Sequence, residues 1–183
     1  MDSTTQQFDK AIATCRNIFI DKLNDYGASW RIMRPSSVTD QLLIKANRIR
    51  SLEVKGNAMI NEGTFGEFVA LVNYGIIALI QINKGWADRK DLSVEEATSL
   101  YDSLMGETRA LMLKKNHDYD EIWRKMRVSS YTDIILTKLM RIKEIEDNDG
   151  STKISEGVDS NVMDIINYAM FAIIKEQEKQ ATA

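Results

Sequence analysis

The sequence predicts an all-α protein in which a three-helix unit is duplicated in tandem and the two copies form one pseudo-twofold helical bundle. Three observations lead to this prediction: apolar residues recur at helical spacing, no segment alternates as a strand does, and the chain repeats itself. After a shift of 93 positions, 18 of the 46 positions from 8 to 53 are identical to those from 101 to 146. Chance would give about three identities at average composition, so the repeat reflects an internal duplication.

The strongest part of the repeat runs from Asp25 to Asp40 and again from Asp118 to Asp133. Further along, the second copy contains one extra residue, so the offset becomes 94. The dipeptide at 73–74 then aligns with the identical dipeptide at 167–168. We expect a single compact domain over 1–183, with repeat one at about 4–82, a connector at 83–92 and repeat two at about 93–176. Two units of this size could each bury only part of a core alone, so they are expected to pack on each other.

Composition narrows the classes of partner. A net charge of -3, from 24 basic and 27 acidic residues, gives no electrostatic basis for binding nucleic acid in bulk. The single cysteine excludes an internal disulfide and fits a reducing compartment, and no stretch has the pattern of a signal peptide, so we expect a cytoplasmic protein. The longest apolar run, Val69 to Ile82, is shorter than the ~20 residues that cross a bilayer, so no membrane partner is expected.

Each repeat is expected to open with an amphipathic helix, because its apolar residues recur every three or four positions. The second copy has a clear start signal, since Ser93 is followed three residues later by Glu96, which is the spacing of a capping box. The apolar stripe in the first copy is formed by Phe8, Ile12, Cys15, Phe19 and Leu23.

The second helix follows the repeated tryptophan segment, and serine pairs at 36–37 and 129–130 are its expected N-caps. The third helix, at 68–82 and 162–174, is apolar on all sides, which is typical of a central helix. We therefore expect the two third helices to lie against each other at the middle of the molecule. The polar tail at 177–183 is expected to fray.

Acidic residues of the second repeat suggest a metal site. A polar group in a buried helix requires a partner, and Asp159 and Asp164 rise along one helix beside Glu156, while Glu146 ends the helix before it. Oxygens converging from two helices are suited to Mg²⁺. The alternative is structural: Asp159 is a good N-cap, and Asp164 has a nearby partner in Lys138 or the arginine three residues later.

Two basic pairs, each with its members three residues apart on one helix face, suggest phosphate binding: Lys45 with Arg48, and Lys138 with Arg141. The alternative is that these long side chains cover the core with their stems.

Trp123 is a candidate for stacking on a nucleotide base, and Arg127 beside it is a candidate, with Lys138 and Arg141, for holding the phosphates. Asn167, a polar residue in the apolar third helix, is a candidate nucleotide contact. The alternative for the tryptophan is burial in the core, which is the more frequent use of such a residue.

These motifs together resemble the nucleotide modification associated domain 1 family, a bacterial and phage domain of unknown biochemistry. The resemblance extends over most of the chain through the two copies, and it implies an association with enzymes that modify DNA bases or their precursor nucleotides. In the second copy it is carried by Lys115, Asp118, Tyr119, Trp123, Arg127, Ser129, Ser130, Thr132, Asp133, Lys138, Arg141, Ile142, Glu156, Gly157, Asp164, Asn167, Tyr168 and Ala169.

A more distant resemblance is to the all-α nucleoside triphosphate pyrophosphohydrolases of the MazG and dimeric dUTPase kind, in which acids on two adjacent helices hold Mg²⁺ under the phosphates. The pair Asp159 and Asp164 resembles the second acidic helix of those enzymes. The preceding helix departs from their Glu-x-x-Glu pattern, because this chain has Lys138 and Arg141 there, residue types that bind phosphate rather than metal.

Two functional hypotheses follow. The first is Mg²⁺-dependent hydrolysis of a nucleoside triphosphate to monophosphate and pyrophosphate; the second is a non-catalytic nucleotide-binding or adaptor module for a modification enzyme. Because Phe65 and Ala70 stand in repeat one where repeat two has its two aspartates, we expect one functional pocket per chain, centred on Asp164. The sequence does not identify the catalytic residues, or the base and sugar of the nucleotide. It also leaves the oligomeric state open, with a homo-oligomer among the alternatives. The expected metal ligands are Asp164, Asp159, Glu156 and Glu146.

Overall fold

The computed structural model describes residues 3–56, 63–150 and 157–183. These ranges contain six α-helices and no β-strand, which confirms the all-α prediction. A short 3₁₀ segment, Ser29–Ile32 or Ile122–Lys125, lies between the first and second helix of each repeat. The helices are α1 Ser3–Tyr26, α2 Pro35–Lys55, α3 Phe65–Lys84, α4 Val94–Asp118, α5 Val128–Asp147 and α6 Val158–Thr182.

The helices pack with the symmetry that the duplication predicts. Exchanging α1, α2 and α3 with α4, α5 and α6 leaves the pattern of main helix–helix contacts unchanged: α2 packs on α3 as α5 does on α6, and α1 packs on α6 as α4 does on α3. The most extensive contact in the described chain is between α3 and α6. The expected central pair is therefore confirmed.

A glycine lets the two central helices approach closely. A Cβ atom on Gly75 of α3 would lie 2.5 Å from Cγ1 of Ile166 on α6, which is closer than real side-chain contacts. Ile166 is fully buried, so its side chain fills the space that glycine leaves. Gly75 therefore sets the distance between the helices, and with it the position of the polar residues that α6 carries.

The helix starts agree only partly with the sequence analysis. Ser93 and Glu96 form the expected capping box of α4, since each backbone N–H donates to the other side chain at 3.1 Å. The predicted serine caps of α2 and α5 are wrong, because Arg34 and Arg127 hold the N-cap positions and the serines lie inside the first turn. In α2 the cause is Pro35, whose fixed φ suits the first helical position.

The expected fraying of the C-terminal tail is also wrong, because α6 continues to Thr182. Gln177 donates to Thr14 at 3.1 Å, and Glu178 accepts a hydrogen bond of 2.6 Å from Gln7. These contacts tie the polar end of α6 to α1.

Only α3, of the helices described, is long and apolar enough to cross a membrane by length and composition. In this structure 72% of its apolar window is buried against the other helices. Within the described structure, α3 is therefore a mostly buried core helix.

Candidate functional site

Asp164 joins two lysines that come from different helices. Its carboxylate is 5% exposed on α6 and accepts hydrogen bonds from Lys115 Nζ of α4 at 2.5 Å and from Lys138 Nζ of α5 at 3.0 Å. A buried carboxylate without partners would cost several kcal/mol, and two ammonium groups offset that cost. The lysines keep 42% and 30% of their side chains exposed, so solvent reaches this cluster.

These three residues line a cavity of about 430 Å³, which we call the Asp164 cavity. Its volume lies within the range of about 300–1,000 Å³ that holds small molecules. One end is ionic and the rest of the wall is largely apolar. Its other lining residues are Met112, Asn116, Tyr119, Ile122, Trp123, Met126, Asn167, Tyr168 and Phe171.

Asn167 contributes a buried acceptor to this wall. Its Nδ2 donates to the carbonyl of Thr108 at 3.3 Å, while its Oδ1 is buried and has no hydrogen-bond partner among the described residues. An unpaired buried acceptor costs about 1–3 kcal/mol. The sequence-based candidate thus lines the cavity, while its unpaired oxygen is buried.

Trp123 lies in the same wall, but its ring is already covered. The ring stacks on Phe171 with centroids 4.4 Å apart and planes 5° apart, and the guanidinium of Arg124 lies 4.3 Å from the ring centroid. Its indole N–H donates to Asn116 Oδ1 at 2.9 Å, and the residue is only 4% exposed. Because its contacts are already taken, the expected stacking of a base on Trp123 does not fit the structure.

Other aromatic and apolar groups stand closer to solvent. Tyr119 is 65% exposed and Ile122 is 49% exposed, and both line the cavity. Burial raises the pKa of Tyr168, so its hydroxyl stays protonated at neutral pH. These residues can enclose a planar apolar group and still leave it access from solvent.

The four expected metal ligands are not brought together. Asp159 is exposed, and five residues on a helix place it about 140° around the axis from buried Asp164. Glu146 contacts Thr39 of α2 instead of α6, and Glu156 lies outside the described residues. No cluster of three or more acidic, histidine or cysteine side chains within 3–56, 63–150 and 157–183 is placed to hold a metal ion.

The chemistry of Asp164 also argues against Mg²⁺ at this place. Both carboxylate oxygens already accept from ammonium groups, which are cations that a metal would have to displace. The described residues therefore do not fit a magnesium site, and we assign no step to a metal.

Of the two basic pairs, only Lys138 lines the Asp164 cavity. Arg141 Nη1 lies 3.4 Å from Glu144 on the same helix, and Arg127, at the N-cap of α5, is exposed and outside the cavity lining. Neither arginine is placed in the cavity wall. The basic side chains that line the cavity, and that could bind phosphate there, are those of Lys115 and Lys138.

The first pair has a carboxylate partner that the sequence analysis missed. Arg48 contacts Glu67 at 2.6 Å and Lys45 contacts it at 3.9 Å, and Glu67 is 7% exposed on α3. Glu67 lies one helical turn before Ala70 on the same face of α3, so it supplies the carboxylate that Ala70 lacks.

The first repeat has a cavity of its own at the equivalent place. It measures about 620 Å³, and Lys22, Ala70 and Asn73 line it where Lys115, Asp164 and Asn167 line the other. We call it the Ala70 cavity. The sequence led us to expect one functional pocket per chain, and the structure has a cavity in each repeat.

Sequence reasoning also gave no role to Lys115 and Asn116, although both line the Asp164 cavity. The signal for Lys115 was present, because Lys22 is its identical counterpart in the first repeat. The signal for Asn116 was weaker, because the residue is not repeated. Its counterpart is the apolar Leu23, so the two copies differ in polarity at this position.

Comparison with sequence families gives one result. A family described as nucleotide modification associated domain 1 matches residues 22–82 and, a second time, residues 115–175. The two matched segments cover the wall of each cavity from Lys22 or Lys115 onward. Comparison with curated proteins and with solved structures gave no match.

Proposed function

Because the chain belongs to the nucleotide modification associated domain 1 family, we propose that it binds a nucleotide in the Asp164 cavity, as a non-catalytic module serving nucleotide or base modification. The observation that carries this proposal is the pair of ammonium groups, Lys115 and Lys138, held by one buried carboxylate at the edge of a small-molecule cavity.

The ionic cluster suits a phosphate group. Two lysines and one aspartate sum to a net charge of about +1, which attracts an anion. An ammonium group has three donors, and the contact with Asp164 uses only one of those on Lys138. Asp164 therefore holds the two ammonium groups near each other, and Lys138 keeps donors for a phosphate.

The rest of the cavity suits the base and sugar. Ile122 and Met126 offer apolar contact, and Tyr119 and Tyr168 offer aromatic surface. The amide of Asn167 also belongs to this wall. A nucleotide supplies all of these features in one molecule.

The proposal is tested by isothermal titration calorimetry with nucleosides and with their mono-, di- and triphosphates. We expect the phosphorylated ligands to bind at least about tenfold more tightly than the nucleosides, and this preference to weaken as salt screens the lysines. We expect Lys138→Ala to remove most of the preference, because a hydrogen bond to a charged group is worth about 1.5–3 kcal/mol.

The matched control is Lys45→Ala, which changes the equivalent lysine of the first repeat, where Glu67 is the ion-pair partner. Its affinity should stay close to that of the wild type. Equal binding of nucleosides and nucleotides, or equal losses in the two variants, would rule out phosphate recognition by the Asp164 cluster.

A further inference from the structure

The Ala70 cavity differs from the Asp164 cavity in ways that point to a second ligand. The end of α1, the 3₁₀ segment Ser29–Ile32 and the first half of α3 form its wall. It is the larger of the two cavities, at about 620 Å³ against about 430 Å³. Both volumes fall in the range of small-molecule sites.

Three replacements remove polar or bulky groups from the first-repeat cavity. Ala70 stands at the position of Asp164, and Leu23 at that of Asn116. Ile77 replaces Phe171, the residue that covers the tryptophan ring in the second repeat. Without these groups the Ala70 cavity has a larger and more apolar interior.

The buried asparagine of this cavity is already satisfied. Asn73 Nδ2 donates to the carbonyl of Cys15 at 3.0 Å, and its Oδ1 accepts from the hydroxyl of Tyr101 at 2.8 Å. Asn73 therefore requires nothing from a ligand. The aromatic rings in this wall are those of Phe19, Tyr26, Trp30, Phe65 and Tyr74.

One cation lies at the edge of this apolar space. Lys22 is exposed, and its ammonium group makes no hydrogen bond or ion pair with any residue that the structure describes. It is the only lysine, arginine, aspartate or glutamate among the described lining residues. Its equivalent, Lys115, is neutralised in part by Asp164, whereas Lys22 faces alanine at that position.

The edge also exposes apolar side chains to water. Ile18, Tyr26 and Ile32 all line the cavity and are 37%, 54% and 56% exposed. A group of exposed large apolar residues around a concave site is typical of a surface that binds a ligand.

We propose that the Ala70 cavity is a second binding site, which takes an aromatic molecule with a single negative charge. The rings and aliphatic groups of the wall contact the apolar body of the ligand, and Lys22 pairs with its anionic group. The site is separate from the nucleotide site and does not depend on it. In this way the two repeats present related cavities with different ligand chemistry.

The probe is 1-anilinonaphthalene-8-sulfonate, an aromatic monoanion whose fluorescence rises in apolar surroundings. We expect saturable binding of one molecule per chain. In the methyl NMR spectrum of isoleucine-labelled protein, the signals of Ile18, Ile32 and Ile77 should shift, and that of Ile122 should not. The cavity assignments of these four residues make the two sites distinguishable.

Two variants test the chemistry. Lys22→Ala should weaken binding of the probe about tenfold, while Lys10→Ala, a change of another exposed lysine on α1, should leave it unchanged. Ala70→Asp places beside Lys22 the carboxylate that the second repeat has beside Lys115, and should weaken binding at least as much. Circular dichroism and a thermal melt check that each variant is folded.

The proposal is overturned if Ile122 shifts instead of the other three isoleucines, or if neither Lys22→Ala nor Ala70→Asp changes the affinity. It is also overturned if binding of the probe does not saturate at one molecule. A lack of nucleotide binding would leave these outcomes unaffected, so the two proposals fail separately.

Discussion

The hydroxyl of Tyr101 donates to Oδ1 of Asn73 at 2.8 Å, and the second repeat has no counterpart of this bond. The residue equivalent to Tyr101 is Phe8, which is fully buried but has no hydroxyl, and Oδ1 of the equivalent asparagine, Asn167, has no partner in the described structure. A single missing oxygen atom thus separates a satisfied core asparagine from one with an unused acceptor.

Removing the hydroxyl of Tyr101 is expected to destabilise the protein. Tyr101→Phe leaves Asn73 Oδ1 buried and unpaired, so the free energy of unfolding should fall by about 1–3 kcal/mol. Urea denaturation followed by circular dichroism measures the change. Tyr168→Phe is the control, because the hydroxyl of Tyr168 makes no hydrogen bond with a described residue. Equal stability of Tyr101→Phe and the wild type would contradict the role given to this bond.

The close approach of the central helices gives a second prediction. Gly75→Ala places a methyl group against Ile166, so overpacking should lower the free energy of unfolding by about 1–3 kcal/mol. Gly106 is an exposed glycine in α4 with nothing near its Cβ position, and Gly106→Ala should raise stability by about 0.5–1 kcal/mol. A thermal melt of both variants checks the pair, and stabilisation by Gly75→Ala would show that the helices are further apart than described.

Much of the fold could be predicted because it depends on local periodicity and on the duplication. The apolar stripe around Phe8 and the capping box at Ser93 specify helices from neighbouring residues alone. The repeat indicated which helices are equivalent. Because α3 and α6 are both strongly apolar, packing them against each other is what buries them. These parts require no knowledge of the detailed packing.

The site was harder to predict because its partners come from distant parts of the chain. Lys115 and Asp164 are 49 residues apart, and only the packing of α4 on α6 brings them together. Glu67 replaces the missing aspartate from a position three residues away from Ala70, so a comparison of aligned positions could not find it. Glu146 was expected to face α6, but its side chain points to α2.

The placement of Glu146 gives a prediction about pH. Burial raises the pKa of this carboxyl, and its Oε1 is buried without a hydrogen-bond partner among the described residues. The hydrogen bond with Thr39 opposes the rise, Asp40 of α2 and Asp147 add to it, and Lys143 opposes it. The folded state therefore binds the proton more tightly than the unfolded state, so this group destabilises the protein as pH rises through its raised pKa.

Glu146→Gln should accordingly stabilise the protein at pH 7, by about 1 kcal/mol since solvent reaches part of the side chain. The gain should disappear below about pH 4, where the carboxyl is protonated in both states. Denaturation curves at several pH values measure it. The equivalent residue, Glu53, is more exposed, and Glu53→Gln should give a smaller gain. A gain for Glu146→Gln that is the same at pH 4 and pH 7 would exclude this explanation.

Asp164→Asn distinguishes ammonium binding from metal binding. If Asp164 positions two lysines, the amide lowers the negative charge of the cluster, and nucleotide affinity should stay within about threefold or rise. If Asp164 holds Mg²⁺, the same change should cost about 100-fold in Mg²⁺-dependent binding. Titration with and without Mg²⁺, together with an assay for pyrophosphate release from nucleoside triphosphates, measures both. Mg²⁺-dependent release that Asp164→Asn abolishes would favour the hydrolase hypothesis.

The most direct test of nucleotide binding in the Asp164 cavity is calorimetry on two double variants that are equivalent under the pseudo-twofold. Lys115→Ala with Lys138→Ala removes both ammonium groups of the second-repeat cavity, while Lys22→Ala with Lys45→Ala changes the equivalent lysines of the first repeat, of which only Lys22 lines the Ala70 cavity. We expect the second-repeat variant to bind the preferred nucleotide about 100-fold more weakly and the first-repeat variant to bind it like the wild type. Equal weakening of the two variants, or no binding of any nucleotide by the wild type, would contradict the account.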